Sequence, residues 1–353
     1  MDVVDTADEA AGHELAPLVV RKPLEAFLDA HGIGTGRVEA ERIGEGHSNI
    51  TFLVRRGDTR VVLRRPPRPP LPPSAHDVLR EARLLRALEG TPVRVPKVIA
   101  VGDDESLLGV PFYVMEEVRG SVLASAIPPA LDTPAERRRT AEELVDALVE
   151  VHSVDWQACG LEGYGKPTGY LERQLRRFTG LWEHNKTREL DVVEELGEWL
   201  RQNMPESPES TIVHGDYRLG NVMLADTAPA ELVAIFDWEL STIGDPLADV
   251  GYMTVTWVEP GDPEDTMFAS IGALTRREGF PAREELIARY EERSGRSMSA
   301  LNWYQALALW KAAVFMEGNY KRFQAGGSDD QYLALFDRGV PMLAEKAREI
   351  AHS

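Results

Sequence analysis

Three short segments of strand-forming residues interrupt the helical patterns in the second half of this 353-residue chain. They are residues 211–213, 222–224 and 232–236, and polar residues fill the connections that follow the first and the third. Strand ends are rigid, so they hold the loop residues beside them in fixed positions. Any fold of this chain must therefore place the polar residues after 213 and after 236 at defined points.

The polar connections carry a pattern that fits one kind of chemistry. The first contains HGDYRLGN, with Asp216 and Asn221, and the second contains FDWE, with Asp237. Phosphoryl transfer needs a carboxylate that orients the attacking hydroxyl group and accepts its proton. It also needs oxygen ligands that hold Mg²⁺ on the phosphates. We therefore predict that Asp216 is the catalytic base and that Asn221 and Asp237 are the magnesium ligands.

The H-G-D-x-x-x-x-N pattern, with an aspartate 21 residues after its own, resembles the catalytic and metal-binding loops of kinases. The glycine after the histidine is similar to the aminoglycoside phosphotransferase and choline kinase-like superfamily rather than to protein kinases. The resemblance runs from about residue 41 to residue 322. It implies an α+β, protein-kinase-like, two-lobed fold, with a small N-terminal lobe of mixed antiparallel sheet and a larger, mainly helical C-terminal lobe.

The distribution of strand and helix patterns agrees with such lobes. Strand-like runs dominate up to residue 117, and helical patterns dominate beyond residue 120. We predict an N-terminal nucleotide-binding lobe over residues 1–117, of which 1–14 form a flexible tail, and a C-terminal catalytic and substrate lobe over 118–353. The proline-rich residues 66–73 are expected to form an extended surface loop.

The resemblance also implies nucleotide-binding residues in the N-terminal lobe. A glycine-rich turn faces phosphates with its backbone N–H groups. Arg64 stands where kinases keep a phosphate-binding lysine, with Glu81 as its partner, although Arg65 is an alternative and a purely structural salt bridge is another. The segment that joins the lobes offers backbone groups to adenine. The expected residues are Gly44, Gly46, Ser48, Asn49, Arg64, Glu81, Glu116 and Val118.

Three acidic or imidazole side chains are expected to support this site. His214 buttresses the catalytic loop, and Asp249, in the GDPLAD segment, accepts hydrogen bonds from it. Asp245 is expected to cap the helix of that segment. Glu239 is either a further magnesium ligand or an acid that faces solvent.

Residues 237–246 and the helical stretch at 302–322 are similar to the branch of the family whose kinase-like domain is fused to acyl-CoA dehydrogenases. This fusion makes a hydroxyacyl-CoA-type thioester a candidate acceptor. Aromatic side chains would line an apolar acyl pocket and cations would meet negative groups, although aromatic residues at helical spacing usually belong to a core. The predicted acceptor-site residues are Trp257, Trp303, Tyr304, Trp310, Lys311 and Arg322.

The predicted function is ATP- and Mg²⁺-dependent phosphorylation of a hydroxyl group on a small molecule, with another nucleoside triphosphate as a possible donor. An aminoglycoside-modifying kinase is a narrower alternative, which acids clustered at the substrate mouth would favour. A catalytically silent nucleotide-binding scaffold is the alternative from another class. Arg64 and the missing glycine of the kinase D-F-G triplet leave that alternative open.

The composition limits the possible binding partners and the cellular compartment. The net charge of −19 argues against non-specific nucleic-acid binding, which needs a positive surface. No apolar run approaches the roughly 20 residues that span a bilayer, and the acidic N-terminus lacks the pattern of a secretion signal. Cys159 is the single cysteine, so no intrachain disulfide forms. We expect a cytoplasmic protein with a small-molecule hydroxyl substrate, and the sequence predicts no oligomeric state.

Overall fold

The structure is a computed structural model that describes residues 2–13, 15–44, 49–68, 76–263, 272–327 and 330–353. The chain divides into two compact units, Met1–Arg119 and Gly120–Ser353. This division lies two residues after the predicted boundary at residue 117.

The first unit is built on a five-stranded antiparallel sheet with the order β3-β4-β5-β7-β6. The strands of the unit are β1 (Val3–Val4), β2 (Val19–Val20), β3 (Glu39–Ile43), β4 (Ile50–Arg56), β5 (Thr59–Arg65), β6 (Val98–Gly102) and β7 (Phe112–Glu116). Its helices are α1 (Ala7–Ala11), α2 (Arg21–Ala30), α3 (Val78–Leu88) and α4 (Glu105–Leu108). The order makes β5 a central strand, so its side chains are held from both sides.

Apolar side chains on one face of this sheet form the core of the first unit. Phe52 of β4 lies opposite Leu63 of β5, and both side chains are buried. They belong to the same apolar cluster as Leu24 and Phe27 of α2, and the ring of Phe27 lies 4.9 Å from that of Phe112 on β7. Because side chains alternate along a strand, Arg64 points to the opposite face from Leu63. That face is the one on which its ion-pair partner from α3 lies.

The N-terminal residues differ from the predicted flexible tail. Val3 and Val4 of β1 pair in parallel with β2, and Val4 is buried. Asp5 forms ion pairs with Arg21 and Arg37. Val3, Val4 and Asp5 therefore attach this segment to the unit. A strand pattern of only two valines is too short to be recognised in the sequence. Met1 and residue 14 lie outside the described residues.

The second unit is mainly helical. Its helices are α5 (Pro134–His152), α6 (Tyr170–Asn185), α7 (Asp191–Gln202), α8 (Leu247–Thr256), α9 (Arg283–Ser294), α10 (Leu301–Gln324) and α11 (Phe336–Ala351). Its strands are β8 (Ser121–Val122), β9 (Thr211–Val213), β10 (Val222–Leu224), β11 (Leu232–Ile235) and β12 (Thr242–Gly244). They form two small antiparallel sheets, β11-β10-β8 and β12-β9. The predicted combination of an antiparallel sheet and a mainly helical second part is confirmed.

Helix α10 forms the centre of the second unit. It is apolar on nearly every side and packs against α6, α7, α8 and α11, as expected for a helix inside a core. The indole N–H groups of Trp303 and Trp310 donate to the carbonyl oxygens of Leu200 and Val193 at 3.0 and 2.8 Å. Such bonds satisfy the polar end of a buried tryptophan. Among the described residues, no helix is both long enough and apolar enough to cross a membrane.

Candidate active site

The buried carboxylate of Asp249 holds the start of the loop that follows β9. Its Oδ2 accepts from the backbone N–H of His214 at 2.6 Å, and its Oδ1 accepts from the backbone N–H of Gly215 at 2.8 Å. His152 Nε2 lies 3.2 Å from Oδ2. Burial opposes ionisation of Asp249, but the hydrogen bonds from His152 and Gly215 outweigh it, so the pKa of this carboxyl is lowered.

The ring of His214 joins the two segments that carry the predicted site residues. Its Nδ1 accepts from the backbone N–H of Asp216 at 3.2 Å. The proton of the neutral ring is therefore on Nε2, which donates to the carbonyl oxygen of Phe236 at 2.8 Å. Phe236 immediately precedes Asp237, so one imidazole sets the spacing between the loop of Asp216 and the segment of Asp237.

Asp216 and Asn221 lie side by side. The Nδ2 of Asn221 donates to the carboxylate Oδ2 and to the backbone carbonyl of Asp216, both at 2.7 Å. The backbone carbonyl of Asn221 accepts from the N–H of Phe236 at 2.9 Å. Because the amide nitrogen faces Asp216, the amide oxygen of Asn221 faces away from it. That oxygen is the atom a hard cation would use.

Asp237 lies between β11 and the 3-10 helix Trp238–Leu240, with φ 65° and ψ 56°. A residue other than glycine in this left-handed conformation costs free energy, and such residues concentrate at functional sites. The indole of Trp238 donates to the carbonyl oxygen of Ile235 at 3.0 Å, which ties the turn to the end of the strand. The turn therefore fixes the backbone from which the Asp237 carboxylate projects.

The same turn explains the glycine in the H-G-D pattern. Gly215 has φ 89°, and a Cβ atom added there would lie 2.9 Å from the carbonyl oxygen of Leu240. Both the conformation and the space therefore require glycine. An arginine, which protein kinases carry at this point of the pattern, does not fit here.

The donor atoms present suit magnesium. Asn221 and Asp237 offer hard oxygen ligands, and Glu239 lies half-buried two residues after Asp237. Within the described ranges, no group of three His, Cys, Asp or Glu side chains could hold a metal by itself. Magnesium usually binds through one or two carboxylates, with phosphate oxygens and water completing its octahedron. The residues therefore fit a metal that arrives with a nucleotide.

Tyr252 was not predicted, although it contacts the predicted base. It lies on α8, three residues after Asp249, and forms side-chain hydrogen bonds with Asp216 and Arg218. Arg218 Nε lies 3.7 Å from Asp216 Oδ1. Burial raises the pKa of Tyr252 well above its ordinary value, and the charge of Asp216 raises it further, so the phenol is a proton donor. The i, i+3 spacing from Asp249 was the signal that could have identified it.

In the first unit, Arg64 and Glu81 form the predicted pair. Arg64 Nε lies 2.9 Å from Glu81 Oε2, and Glu81 is only 2% exposed. The neighbouring Arg65 is buried and donates to the carbonyl oxygens of Pro66 and Leu18. Burial lowers the pKa of Arg65 to about 10. Arg65 therefore binds backbone carbonyl groups, and Arg64 is the arginine that pairs with Glu81.

The other predicted nucleotide-binding residues are partly described. Gly44 has a left-handed φ of 75°, and Asn49 at the start of β4 is buried. Gly46 and Ser48 lie outside the described residues. Glu116 at the end of β7 accepts from the backbone N–H of Lys97 at 3.0 Å, and Val118 follows two residues later.

The aromatic residues predicted to line an acyl pocket are core residues. Trp257, Trp303, Tyr304 and Trp310 are each at most 2% exposed. The Tyr304 hydroxyl donates to Asp245 Oδ2 at 2.7 Å, and the Trp257 indole donates to a carbonyl oxygen at 3.0 Å. Asp245 Oδ1 also accepts from the N–H of Leu247, the first residue of α8, at 2.9 Å, although Pro246 rather than Asp245 occupies the N-cap position. The prediction of an aromatic acyl pocket at these positions is not supported, because helical spacing marked a core.

Trp257 nevertheless borders a small cavity beside the catalytic loop. The cavity has a volume of about 10 Å³, and Arg218, Gly220 and Met253 also line it. This is about the room of one water molecule. The two predicted cations lie elsewhere on α10, where Lys311 is half-buried and Arg322 is exposed.

Comparison with known proteins agrees with this geometry. Residues 39–301 match the family model described as "Phosphotransferase enzyme family". The chain is 34% identical over 338 residues to human acyl-CoA dehydrogenase family member 11. The alignment covers 94% of this chain and 43% of the human protein. The chain thus spans less than half the length of this curated relative.

Two solved structures show the same fold. A Ralstonia eutropha protein, provisionally described as an aminoglycoside phosphotransferase, is 33% identical, with a TM-score of 0.80 over 94% of this chain and 98% of that one. A spectinomycin phosphotransferase solved with ADP and spectinomycin has a TM-score of 0.60 over 94% and 99% of the two chains, and at 10% identity it shows the fold alone. The predicted kinase-like fold is confirmed.

The matched residues include the catalytic loop, the Asp237 segment and the Arg64–Glu81 pair. The resemblance to the branch fused to acyl-CoA dehydrogenases is also confirmed. A silent scaffold is therefore set aside. The chain belongs to the phosphotransferase enzyme family, and it is a small-molecule kinase with a hydroxyl group as acceptor.

Proposed function

We propose that the chain uses ATP and Mg²⁺ to phosphorylate the hydroxyl group of a hydroxyacyl thioester of the coenzyme A type. The observation that carries the catalytic part is the orientation of Asp216. The amide of Asn221 fixes one carboxylate oxygen at 2.7 Å, while His214 and Asp249 accept from the backbone N–H groups of Asp216 and Gly215. A base oriented in this way contributes about two to four powers of ten to the rate of such a step.

The reaction follows from the roles of these residues. Asp216 accepts the proton of the acceptor hydroxyl while a bond forms between the hydroxyl oxygen and the γ-phosphorus. The bond from the γ-phosphorus to the bridging oxygen breaks, and ADP leaves with that electron pair. Tyr252 and Arg218, which contact Asp216, keep its carboxylate in place during the transfer. Phosphoryl transfer relies on such positioning more than on covalent chemistry.

Magnesium and nucleotide have candidate ligands in the two units. Asn221, Asp237 and Glu239 would hold Mg²⁺, which neutralises phosphate charge when it is bound. Arg64, oriented by Glu81, would contact the α- and β-phosphates, as a lysine does in kinases. Solved phosphotransferases of the same fold hold ADP or GDP, which supports a purine nucleotide here.

The acceptor is inferred from the relatives and from charge. The human relative is named as an acyl-CoA dehydrogenase family member, and this chain matches less than half of it, so an acyl thioester is the shared chemistry we propose. Aminoglycosides, which the description of the Ralstonia eutropha protein suggests, are polycations. Arg177 on α6 and Lys311 on α10, which form no ion pair with a carboxylate among the described residues, favour an anionic acceptor instead.

An acceptor panel tests this proposal. The purified chain would be given ATP, Mg²⁺ and either hydroxyacyl-CoA thioesters with the hydroxyl group at different carbons or a set of aminoglycosides. We expect ADP release and a phosphorylated thioester, detected by mass spectrometry, for at least one hydroxyl position. Turnover of an aminoglycoside with no turnover of any thioester would reject the proposed acceptor while leaving the kinase chemistry intact.

A further inference from the structure

Two cations of the second unit lie against one aromatic ring on neighbouring helices. The Nζ of Lys311 on α10 lies 4.9 Å from the centre of the Phe178 ring on α6. The Cζ of Arg177 lies 5.9 Å from the same centre. Lys311 is half-buried and Arg177 is exposed. The ring face gives a cation modest stabilisation but supplies no negative charge.

Neither cation has a carboxylate partner in the described part of the chain. Several acids of these helices and of α7 bind other groups. Glu317 of α10 binds Arg188 and Thr187, and Glu183 and Glu194 both bind Lys186. Burial lowers the pKa of Lys311 to about 8, and the nearby charge of Arg177 lowers it further. Although the chain has a net charge of −19, no carboxylate in its described residues forms an ion pair with Lys311 or Arg177.

The pair has a defined relation to the catalytic segment. Tyr170, at the start of α6, packs so closely on Gly244 that a Cβ added there would lie 2.4 Å from its ring. Gly244 ends β12, the strand that follows Asp237. Phe178 lies eight residues further along α6, which is a rise of about 12 Å. The buried Asp249 is also close enough to attract the Lys311 ammonium.

We propose that Arg177 and Lys311 form an anion-binding subsite for the acceptor, which recognises a phosphate group carried on the acceptor away from the hydroxyl that is phosphorylated. This inference rests on the proposed function and deepens it. Phe178 and the 64% exposed Phe315, one turn beyond Lys311, offer apolar surface for the chain that links the two groups. A coenzyme A thioester has this layout, with phosphates at one end and an acyl hydroxyl at the other.

Direct binding tests the subsite without turnover. Coenzyme A and pantetheine, which lacks the phosphates, would be titrated calorimetrically into the full chain saturated with AMP-PNP and Mg²⁺, so that the nucleotide site is filled. We expect coenzyme A to bind at least tenfold more tightly than pantetheine. Lys311→Met and Arg177→Gln should each remove most of that difference and leave pantetheine binding unchanged.

Arg176→Gln is the matched control, because Arg176 is an exposed arginine on the same helix with no role in the proposed subsite. It should bind coenzyme A as the parent chain does. Thermal unfolding of all three variants would show that they are folded. Equal affinity for coenzyme A and pantetheine, or wild-type coenzyme A binding by both Lys311→Met and Arg177→Gln, would overturn the subsite. Neither result would alter the outcome of the acceptor panel, so the two proposals fail separately.

Discussion

The catalytic loop of the second unit and the Arg64–Glu81 pair of the first are held in different ways. Arg64 and Glu81 project from a central strand and a helix, so regular backbone places them and one ion pair joins them. The loop has no such backbone and depends on bonds to residues distant in the sequence: Gly215 donates to Asp249, and His214 donates to the carbonyl oxygen of Phe236. Irregular sites therefore need dedicated anchors, whereas sites on regular elements take their geometry from strand register.

The largest effect should come from the base itself. We expect Asp216→Asn to lower kcat by about two or more powers of ten, because the amide cannot accept the hydroxyl proton. Nucleotide affinity, measured by calorimetry, should persist. Asp226→Asn, an exposed acid ten residues later, is the control and should keep full activity. Full activity of Asp216→Asn would show that another group is the base.

The second largest effect is expected from removal of the Asp249 carboxylate, which holds the catalytic loop. Asp249→Ala leaves the buried N–H groups of His214 and Gly215 without their acceptor. We expect the free energy of unfolding to fall by about 3 kcal/mol and kcat to fall with it. Asp146→Ala, which removes a carboxylate paired with Arg289, should cost less. Denaturant unfolding compares the two, and equal losses would mean that the loop has no special dependence on Asp249.

A smaller effect on activity is expected when the Arg64–Glu81 pair is broken. Arg64→Ala should raise the KM for ATP by about tenfold, on the scale of one charge-assisted contact to a phosphate. Arg64→Lys should restore part of that affinity, because the charge remains while the planar geometry is lost. Arg55→Ala, which breaks a similar pair with Glu41, is the control. If both Arg64 variants had a wild-type KM for ATP, the pair would have a structural role only.

The smallest change should follow loss of the Tyr252 hydroxyl. Tyr252→Phe removes a donor to Asp216 but leaves the ring in place. We expect kcat to fall by roughly threefold to tenfold, with the acceptor KM nearly unchanged, because one neutral hydrogen bond is worth about 1 kcal/mol. Tyr320→Phe, whose hydroxyl bonds Asp337 at 3.1 Å, should have no effect. A change confined to the acceptor KM would instead place Tyr252 in acceptor binding.

Much of the fold was readable from residue patterns. The predicted strands at 211–213 and 222–224 have the observed bounds, and helix α5 begins at a proline, Pro134. Proline at the first helical position and short apolar runs between polar loops are strong local signals. The N-terminal segment was missed because its two valines gain meaning only from their partners in β2.

The sequence predicted only those site residues whose type and spacing match a known catalytic motif. Asp216, Asn221 and Asp237 stood out by spacing, and the structure lays the first two side by side. Tyr252 did not stand out, because a tyrosine in an apolar helix is usually a core residue. The aromatic residues from 257 to 310 were given an acceptor role that their burial does not support. Tertiary packing, which separates a core aromatic from a site aromatic, is absent from a single sequence.

The lack of a side chain at Gly215 matters for anyone who wants to re-engineer this enzyme. Even alanine would meet the Leu240 carbonyl and would also adopt an unfavourable φ, so a scan through this loop would record damage unrelated to chemistry. Libraries for new acceptors are better aimed at solvent-facing positions such as Arg177 and Phe315, where replacement leaves the interior untouched.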